Sequence, residues 1–256
     1  MFEPRLRLHN VNLDFVLPSY RSTSWRDLFV RRVSGEKSEK PEVLHACRNI
    51  NFSVGQGERV AIIGANGAGK TSLCRLIAGF YQPTSGQMER FGGVRALFEV
   101  ATIVQPELTG RENAELLSKL LYPGEDVASE LREALEFSEL GRFLDVPLRT
   151  YSKGMHARLG LSLATMKGAD ILILDEVFDG ADQFFREKIS ARTVAMMEKS
   201  GAVIFISHSP SQIRQVCNRV VILEHGSIVF DGEVDAGLAY FSHRKAGSSE
   251  LRGVEA

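Results

Sequence analysis

Eight consecutive residues, Gly64-Ala65-Asn66-Gly67-Ala68-Gly69-Lys70-Thr71, place small side chains ahead of a lysine and a hydroxyl. The spacing is G-x-x-x-x-G-K-[ST], and its chemistry is that of a phosphate cradle. Residues this small let successive backbone N–H groups turn inward on an anion, and the positive end of the following helix adds to the attraction. In such a cradle Lys70 reaches the β- and γ-phosphates of a nucleotide. The Thr71 hydroxyl ligates Mg²⁺, and Ser72 continues the wall. The bland alternative is a glycine-rich turn with a surface lysine. Against it stand the apolar run 59–64 (RVAIIG) before the segment and the helical stretch 72–78 after it.

Phosphoryl transfer also needs a carboxylate for the metal and a group to activate water. Asp175 and Glu176 close a second apolar run, 170–176 (DILILDE). Asp175 is the candidate for the Mg²⁺ shell and Glu176 for the residue that orients the attacking water. Two adjacent acids at the end of a buried strand are costly without a cation nearby. Taken alone, they could merely cap a loop. A third run, 202–208 (AVIFISH), ends in His208, a candidate contact for the γ-phosphate or the water. Its alternative is a histidine that caps the next helix together with Ser207 and Ser209.

These runs have near-continuous Ile, Leu and Val without polar alternation, as parallel strands covered on both faces require. Ligands of open α/β sheets bind at the carboxyl ends of the strands, so three distant segments are expected to converge on one site. Residues 6–16 and 43–54 alternate enough to predict an antiparallel edge sheet, interrupted by a polar insertion at about 18–42. The spacing around 109–166 predicts an inserted helical subdomain. Strands at 220–223 and 227–230 are joined by a turn at Glu224-His225-Gly226. From His243 onward no period is visible, and residues 246–256 are expected to be flexible.

The 256 residues, 44% of them hydrophobic, suffice for one sizeable core. With 31 basic against 32 acidic residues the net charge is −1, which argues against a nucleic-acid partner. Apolar runs stay far below the roughly 20 residues that span a bilayer. The start, MFEPRLRLHN, lacks the features of a secretory leader. Three isolated cysteines, Cys47, Cys74 and Cys217, have no metal-ligand spacing and read as buried or idle thiols.

The segment Tyr151-Ser152-Lys153-Gly154-Met155-His156-Ala157-Arg158, one helix ahead of DILILDE, resembles the signature of the ABC ATPase family. The resemblance covers about 6–241, and the domain it implies runs over 6–245. It implies a P-loop NTPase (RecA-like) α/β core, with an antiparallel β edge subdomain and an α-helical subdomain inserted at about 100–166. Two copies would then enclose ATP, with Ser152, Lys153, Gly154 and Met155 of one facing the nucleotide held by the other. Tyr151 and Met155 replace the family's usual leucine and glutamine, while Arg158 matches its arginine. Gly180-Ala181-Asp182 resembles the loop through which paired copies communicate, with Asp182 its polar contact, and His208 resembles the switch histidine. Phe15 falls near the aromatic residue that stacks on adenine; Tyr20 is a rival and a core position the alternative.

Two departures narrow the branch. Leu97-Phe98-Glu99-Val100 puts Glu99 where a metal-linked glutamine usually stands, with Gln105 in the loop beyond; either could serve the metal. The run Pro106-Glu107-Leu108-Thr109-Gly110-Arg111-Glu112-Asn113 resembles ATP-binding subunits of bacterial polysaccharide exporters. That resemblance implies ATP and Mg²⁺ as ligands and a homodimer. It also implies an integral-membrane permease as partner and a peripheral place on the cytoplasmic face of the inner membrane. Exporters of drugs or lipids, and soluble ABC ATPases without a transport role, are the other readings. In the insertion, Trp25, Leu28, Phe29 and Val33 fall at helical spacing beside Arg26, Arg31 and Arg32. They suit either a membrane partner or packing on the chain's own domain.

Overall fold

The computed structural model describes residues 3–17, 42–98, 105–175 and 183–252. Residues 18–41 of the polar insertion, Tyr20 included, lie outside the described residues.

The core is a six-stranded sheet made of β3 (Arg59–Ile63), β5 (Val94–Phe98), β6 (Ile171–Asp175), β7 (Ala202–Ile206), β8 (Arg219–Glu224) and β9 (Ser227–Gly232). Its order is β5-β6-β7-β3-β8-β9, parallel throughout except for the antiparallel β8–β9 pair. The uninterrupted apolar runs have a direct cause, since successive side chains point to opposite faces and both faces are covered. Val60, Ile62, Ile171, Ile173, Ile204 and Ile206 enter one core. Ala61, Ile63, Leu172, Leu174, Val203 and Phe205 enter the other.

Over the first face lies the edge sheet, formed by β1 (Pro4–Leu17), β2 (Glu42–Gly55) and β4 (Ser85–Arg90) in the order β2-β1-β4. The expected antiparallel pairing of 6–16 with 43–54 is present, as in Leu6 opposite Val54 and Phe15 opposite Leu44. The third strand, β4, has no buried residue and showed no apolar alternation to betray it. Between the two sheets sits α1 (Lys70–Ile77), which buries Leu73, Cys74, Leu76 and Ile77. The opposite face carries α5 (Gln183–Glu198), α6 (Pro210–Val216) and α7 (Val234–Arg252). Here the structure departs from the sequence reading: α7 continues past His243 to Arg252, where no regular structure was expected. Ala, Lys, Arg, Glu and Leu in this stretch have good helix propensity, and Gly247 costs a helix only about 1 kcal/mol. Residues 253–256 lie outside the described residues.

The helical insert comprises α2 (Gly110–Leu121), α3 (Ala128–Phe137) and α4 (Lys153–Ala164), with 3₁₀ turns at Gly141–Asp145 and Leu148–Thr150. From Leu159 on, helix α4 is buried on every side because it serves two cores. Ala157, Leu161 and Ala164 pack on the main sheet, while Leu159 and Leu163 pack inside the helical subdomain. Thr109 caps α2 in a reciprocal box: its hydroxyl accepts from Glu112 N, and Glu112 Oε2 accepts from Thr109 N at 2.8 Å. The Thr109 N–H and hydroxyl, both donating to the Glu112 carboxylate, hold that carboxyl below its ordinary value. All three cysteines are buried and free, and burial pushes the Cys47 and Cys217 thiols up to about 12. They are inert at neutral pH.

Asn113, fully buried, ties the entry into the helical subdomain together. Its amide nitrogen donates to the carbonyls of Gln105 (3.0 Å), Leu108 (3.1 Å) and Thr109 (3.0 Å), and its oxygen accepts from Gln105 N (2.8 Å). Asn113→Ala leaves the Gln105 N–H without its acceptor, while the three carbonyls keep one backbone donor each, and is expected to cost about 1 to 3 kcal/mol. Urea unfolding of both chains measures the loss; an unchanged midpoint would mean that water replaces the amide at no cost.

Candidate nucleotide site

The phosphate cradle begins where β3 ends. In the parallel register Ala61 lies opposite Phe205, so three residues farther along both strands Gly64 and His208 emerge at the same sheet edge. Asp175 ends β6 opposite Ile206, beside them. The three runs therefore do converge. His208 is exposed at this edge. The turn behind it is organised by Ser207, whose hydroxyl donates to Gln212 Oε1 (2.8 Å) and accepts from Ser209 N (3.1 Å).

Small residues in the cradle answer to rigid neighbours. A Cβ on Gly64 would lie 2.4 Å from the Leu223 carbonyl oxygen of β8, and one on Gly69 would lie 2.4 Å from that of Ala46 in β2. Gly69 also has φ +102°, a left-handed conformation that only glycine adopts without strain. The hairpin turn between β8 and β9 braces the same loop, because Gly226 N donates to Ala68 O (3.0 Å) and Gly226 O accepts from Arg48 N (2.7 Å). Ala65 O accepts from Ala68 N at 3.1 Å, which tightens the bend around Asn66 and Gly67.

Lys70, the first residue of α1, is buried, and its Nζ donates to Gly64 O (2.8 Å) and Ala65 O (3.1 Å). Its ammonium is thus folded over the mouth of the loop, with the helix N-terminus behind it. From Thr71 the hydroxyl donates to Asp175 Oδ2 at 3.0 Å. One hydroxyl and one carboxylate at a strand end form a set of hard oxygen donors, which suits Mg²⁺ completed by phosphate oxygens and water. Cys74, one turn beyond Lys70, is buried beneath the site, and burial raises its thiol well above the ordinary value.

Glu176 and Asp182 lie outside the described residues, as does Glu99. Phe98, the residue before Glu99, stands opposite Asp175 in the β5–β6 register. Gln105 is exposed, and its backbone is held by Asn113. Phe15 is half-buried against the core beneath the edge sheet and meets Tyr81 edge-on at 5.1 Å.

Ser152 is the N-cap of α4, its hydroxyl accepting from Met155 N at 3.2 Å. Ser152 and Lys153 are exposed, and a Cβ on Gly154 would meet only the Ser152 hydroxyl, at 3.8 Å. The helix start is therefore an exposed N-terminus, whose dipole favours negative charge, on a rigid mount. Tyr151, where leucine was the family expectation, does structural work. Its hydroxyl donates to Phe143 O (2.6 Å) and sits in the space left by Gly110, where a Cβ would meet it at 2.1 Å. The pairing of Gly110 with Tyr151 was invisible in the sequence, since the two are far apart in the chain.

Gly69→Ala is expected to lower stability by about 1 to 3 kcal/mol, because a methyl is forced onto a left-handed backbone against a carbonyl. The rise in melting temperature that ATP gives the unaltered chain should also shrink. Thermal unfolding with and without ATP reads both, and wild-type melting in the two conditions would show that the loop yields.

Residues 47–179 match the family model described as ABC transporter. Over 234 residues the chain is 39% identical to the O-antigen export system ATP-binding protein RfbE of Yersinia enterocolitica, covering 88% of this chain and 96% of that one. It is 38% identical over 191 residues to the teichoic acids export ATP-binding protein TagH of Enterococcus faecalis, covering 73% of this chain and 42% of the relative. Among solved structures, a dimeric ATP-binding cassette in a post-hydrolysis state bound to ADP and Pi superposes with a TM-score of 0.68. Its identity is 20%, with 90% of this chain and 98% of that one covered, which makes it a likeness of fold. With a family model matched over half of the chain and a relative 39% identical over most of both chains, the chain belongs to the ABC transporter family as one of its ATP-binding, ATP-hydrolysing subunits.

Proposed function

We propose that this subunit powers export of a cell-surface polysaccharide such as an O-antigen or a capsule through a separate integral-membrane permease. The relatives named for O-antigen and teichoic acid export, matched over most of the chain, support the cargo class. Among the described residues no helix is long and apolar enough to cross a membrane, which agrees with a peripheral subunit on the cytoplasmic face of the inner membrane. The observation that carries the chemistry is the joining of Thr71 to Asp175 beside the buried Lys70.

In this reading residues 64–69 and Ser72 line the phosphates of ATP through their backbone N–H groups. Lys70 exchanges its carbonyl partners for the β- and γ-phosphate oxygens. Phe15 stacks on the adenine. Thr71, Asp175 and Glu99 would hold Mg²⁺, which would supply charge neutralisation at the transferred phosphoryl group. Glu176 takes the proton of the attacking water as general base, and His208 fixes the γ-phosphate. A second copy of the chain brings its Ser152, Lys153, Gly154 and Met155 to the same nucleotide, and Asp182 links the two sites. Binding energy of ATP closes the pair, and hydrolysis reopens it.

Glu176→Gln is expected to keep ATP binding, lower kcat roughly 100- to 10,000-fold and trap an ATP-bound dimer on size-exclusion chromatography. Lys70→Ala should instead weaken nucleotide binding. A Glu176→Gln chain that hydrolyses at the wild-type rate removes Glu176 from the role. A carboxylate from Glu99 would bring to the metal site a negative charge that a glutamine would not. Glu99→Gln should shift the Mg²⁺ dependence of ATPase activity and leave metal-free nucleotide affinity alone; superimposable Mg²⁺ titrations would take Glu99 out of the metal site.

A further inference from the structure

Away from the cradle, three chain segments meet around one carboxylate. Glu139 follows the C-terminus of α3 and has φ +57°, a left-handed conformation that costs any residue other than Gly or Asn. Glycine would relieve the backbone, so the glutamate is held at a conformational cost. Its two oxygens are divided between two helices. Oε1 accepts from Lys188 Nζ of α5, and Oε2 accepts from Arg158 Nη1 of α4 at 3.2 Å.

Arg158, mostly covered, is not an ordinary surface cation, whereas Lys188 is more open. Arg158 lies six residues after Ser152 on the helix whose start is the signature turn. Its guanidinium also covers the ring of Phe185 at 4.9 Å. Phe185 is fully buried and meets Phe137 of α3 at 5.5 Å. Lys188 is on α5, the helix that begins at Gln183 and so directly continues the chain from Asp182. An isolated exposed ion pair contributes little, but a carboxylate shared by two cations on separately anchored helices restricts how those helices move past each other.

The geometry points to Glu139 as a positioning residue that fastens α4, and with it the Ser152–Met155 turn, to α5, so that the turn offered to a second copy does not shift against the helix packed on the main sheet. This rests on the two-copy reading above. Glu139 acts through Arg158 and Lys188.

Glu139→Asn tolerates the left-handed backbone and removes the carboxylate, and Lys188→Met removes one cation without touching that backbone. For both, binding of a fluorescent ATP analogue to the single chain should be unchanged. The kcat of ATP hydrolysis should fall about two- to thirty-fold, and in the Glu176→Gln background the ATP concentration that half-assembles the dimer should rise by a similar factor. Lys188→Arg should restore both. Wild-type kcat and assembly in Glu139→Asn and Lys188→Met overturn the inference. So does a loss that simply follows a lowered melting temperature and is not restored by Lys188→Arg. If Glu176→Gln alone fails to assemble with ATP, the two-copy reading falls first and this coupling with it.

Discussion

Thr71 and Asp175 are separated by 104 positions in the chain, and a 3.0 Å hydrogen bond joins them. Much of the architecture can be understood as what it takes to hold that contact. Thr71 sits in the first turn of α1, so the loop before it must deliver the helix to the carboxyl edge of the sheet. Asp175 must leave an otherwise buried strand at the same level. Neither is possible unless β3, β6 and β7 are parallel and in register, which in turn needs apolar cover on both faces of the sheet. Hydrophobic burial is the large term here, and the polar contact is the small, directional consequence that it makes possible.

Around the cradle the limiting factor is space. Backbone carbonyls of Ala46 and Leu223 come within 2.4 Å of where side chains would begin at Gly69 and Gly64. Those carbonyls belong to two different sheets, so the loop is wedged between the edge sheet and the main sheet rather than carried on one of them. The hairpin turn at His225 and Gly226 adds a third wall, with φ +48° and +81° giving the backbone twist that joins β8 to β9. A turn that reads as mere connection is in this way part of the support for Ala68.

Helix α4 explains why the helical subdomain is not a loose appendage. Its residues are divided between the main core and the insert's own core, and Tyr122 adds a buried hydrogen bond from α2's end to Leu163 O at 3.0 Å. The start of α4 at Ser152 thus inherits the rigidity of two packed layers, while its first residues stay open to solvent. Rigid mounting with an exposed tip is what an anion site at a helix start requires.

By itself the sequence determined the parts whose signal is local. The spacing of Gly64, Gly69, Lys70 and Thr71, the three apolar runs ending in Asp175, His208 and the cradle, and the octapeptide at Tyr151 were all readable because each is a short pattern with its own periodicity or chemistry. The edge strands 6–16 and 43–54 were readable for the same reason, through alternation. What only the tertiary structure decided are the contacts between distant segments. The strand β4 pairs through its backbone and offers only Met88 to the core, too little to show as a pattern. Asn113 looks like any polar helix residue until the loop at Gln105 folds over it. Tyr151 fits only because Gly110 vacates its place, and Glu139 becomes meaningful only when α4 and α5 bring Arg158 and Lys188 to it. Secondary structure follows from side-chain periodicity along the chain, whereas these contacts depend on how two faces meet in three dimensions, which periodicity does not encode.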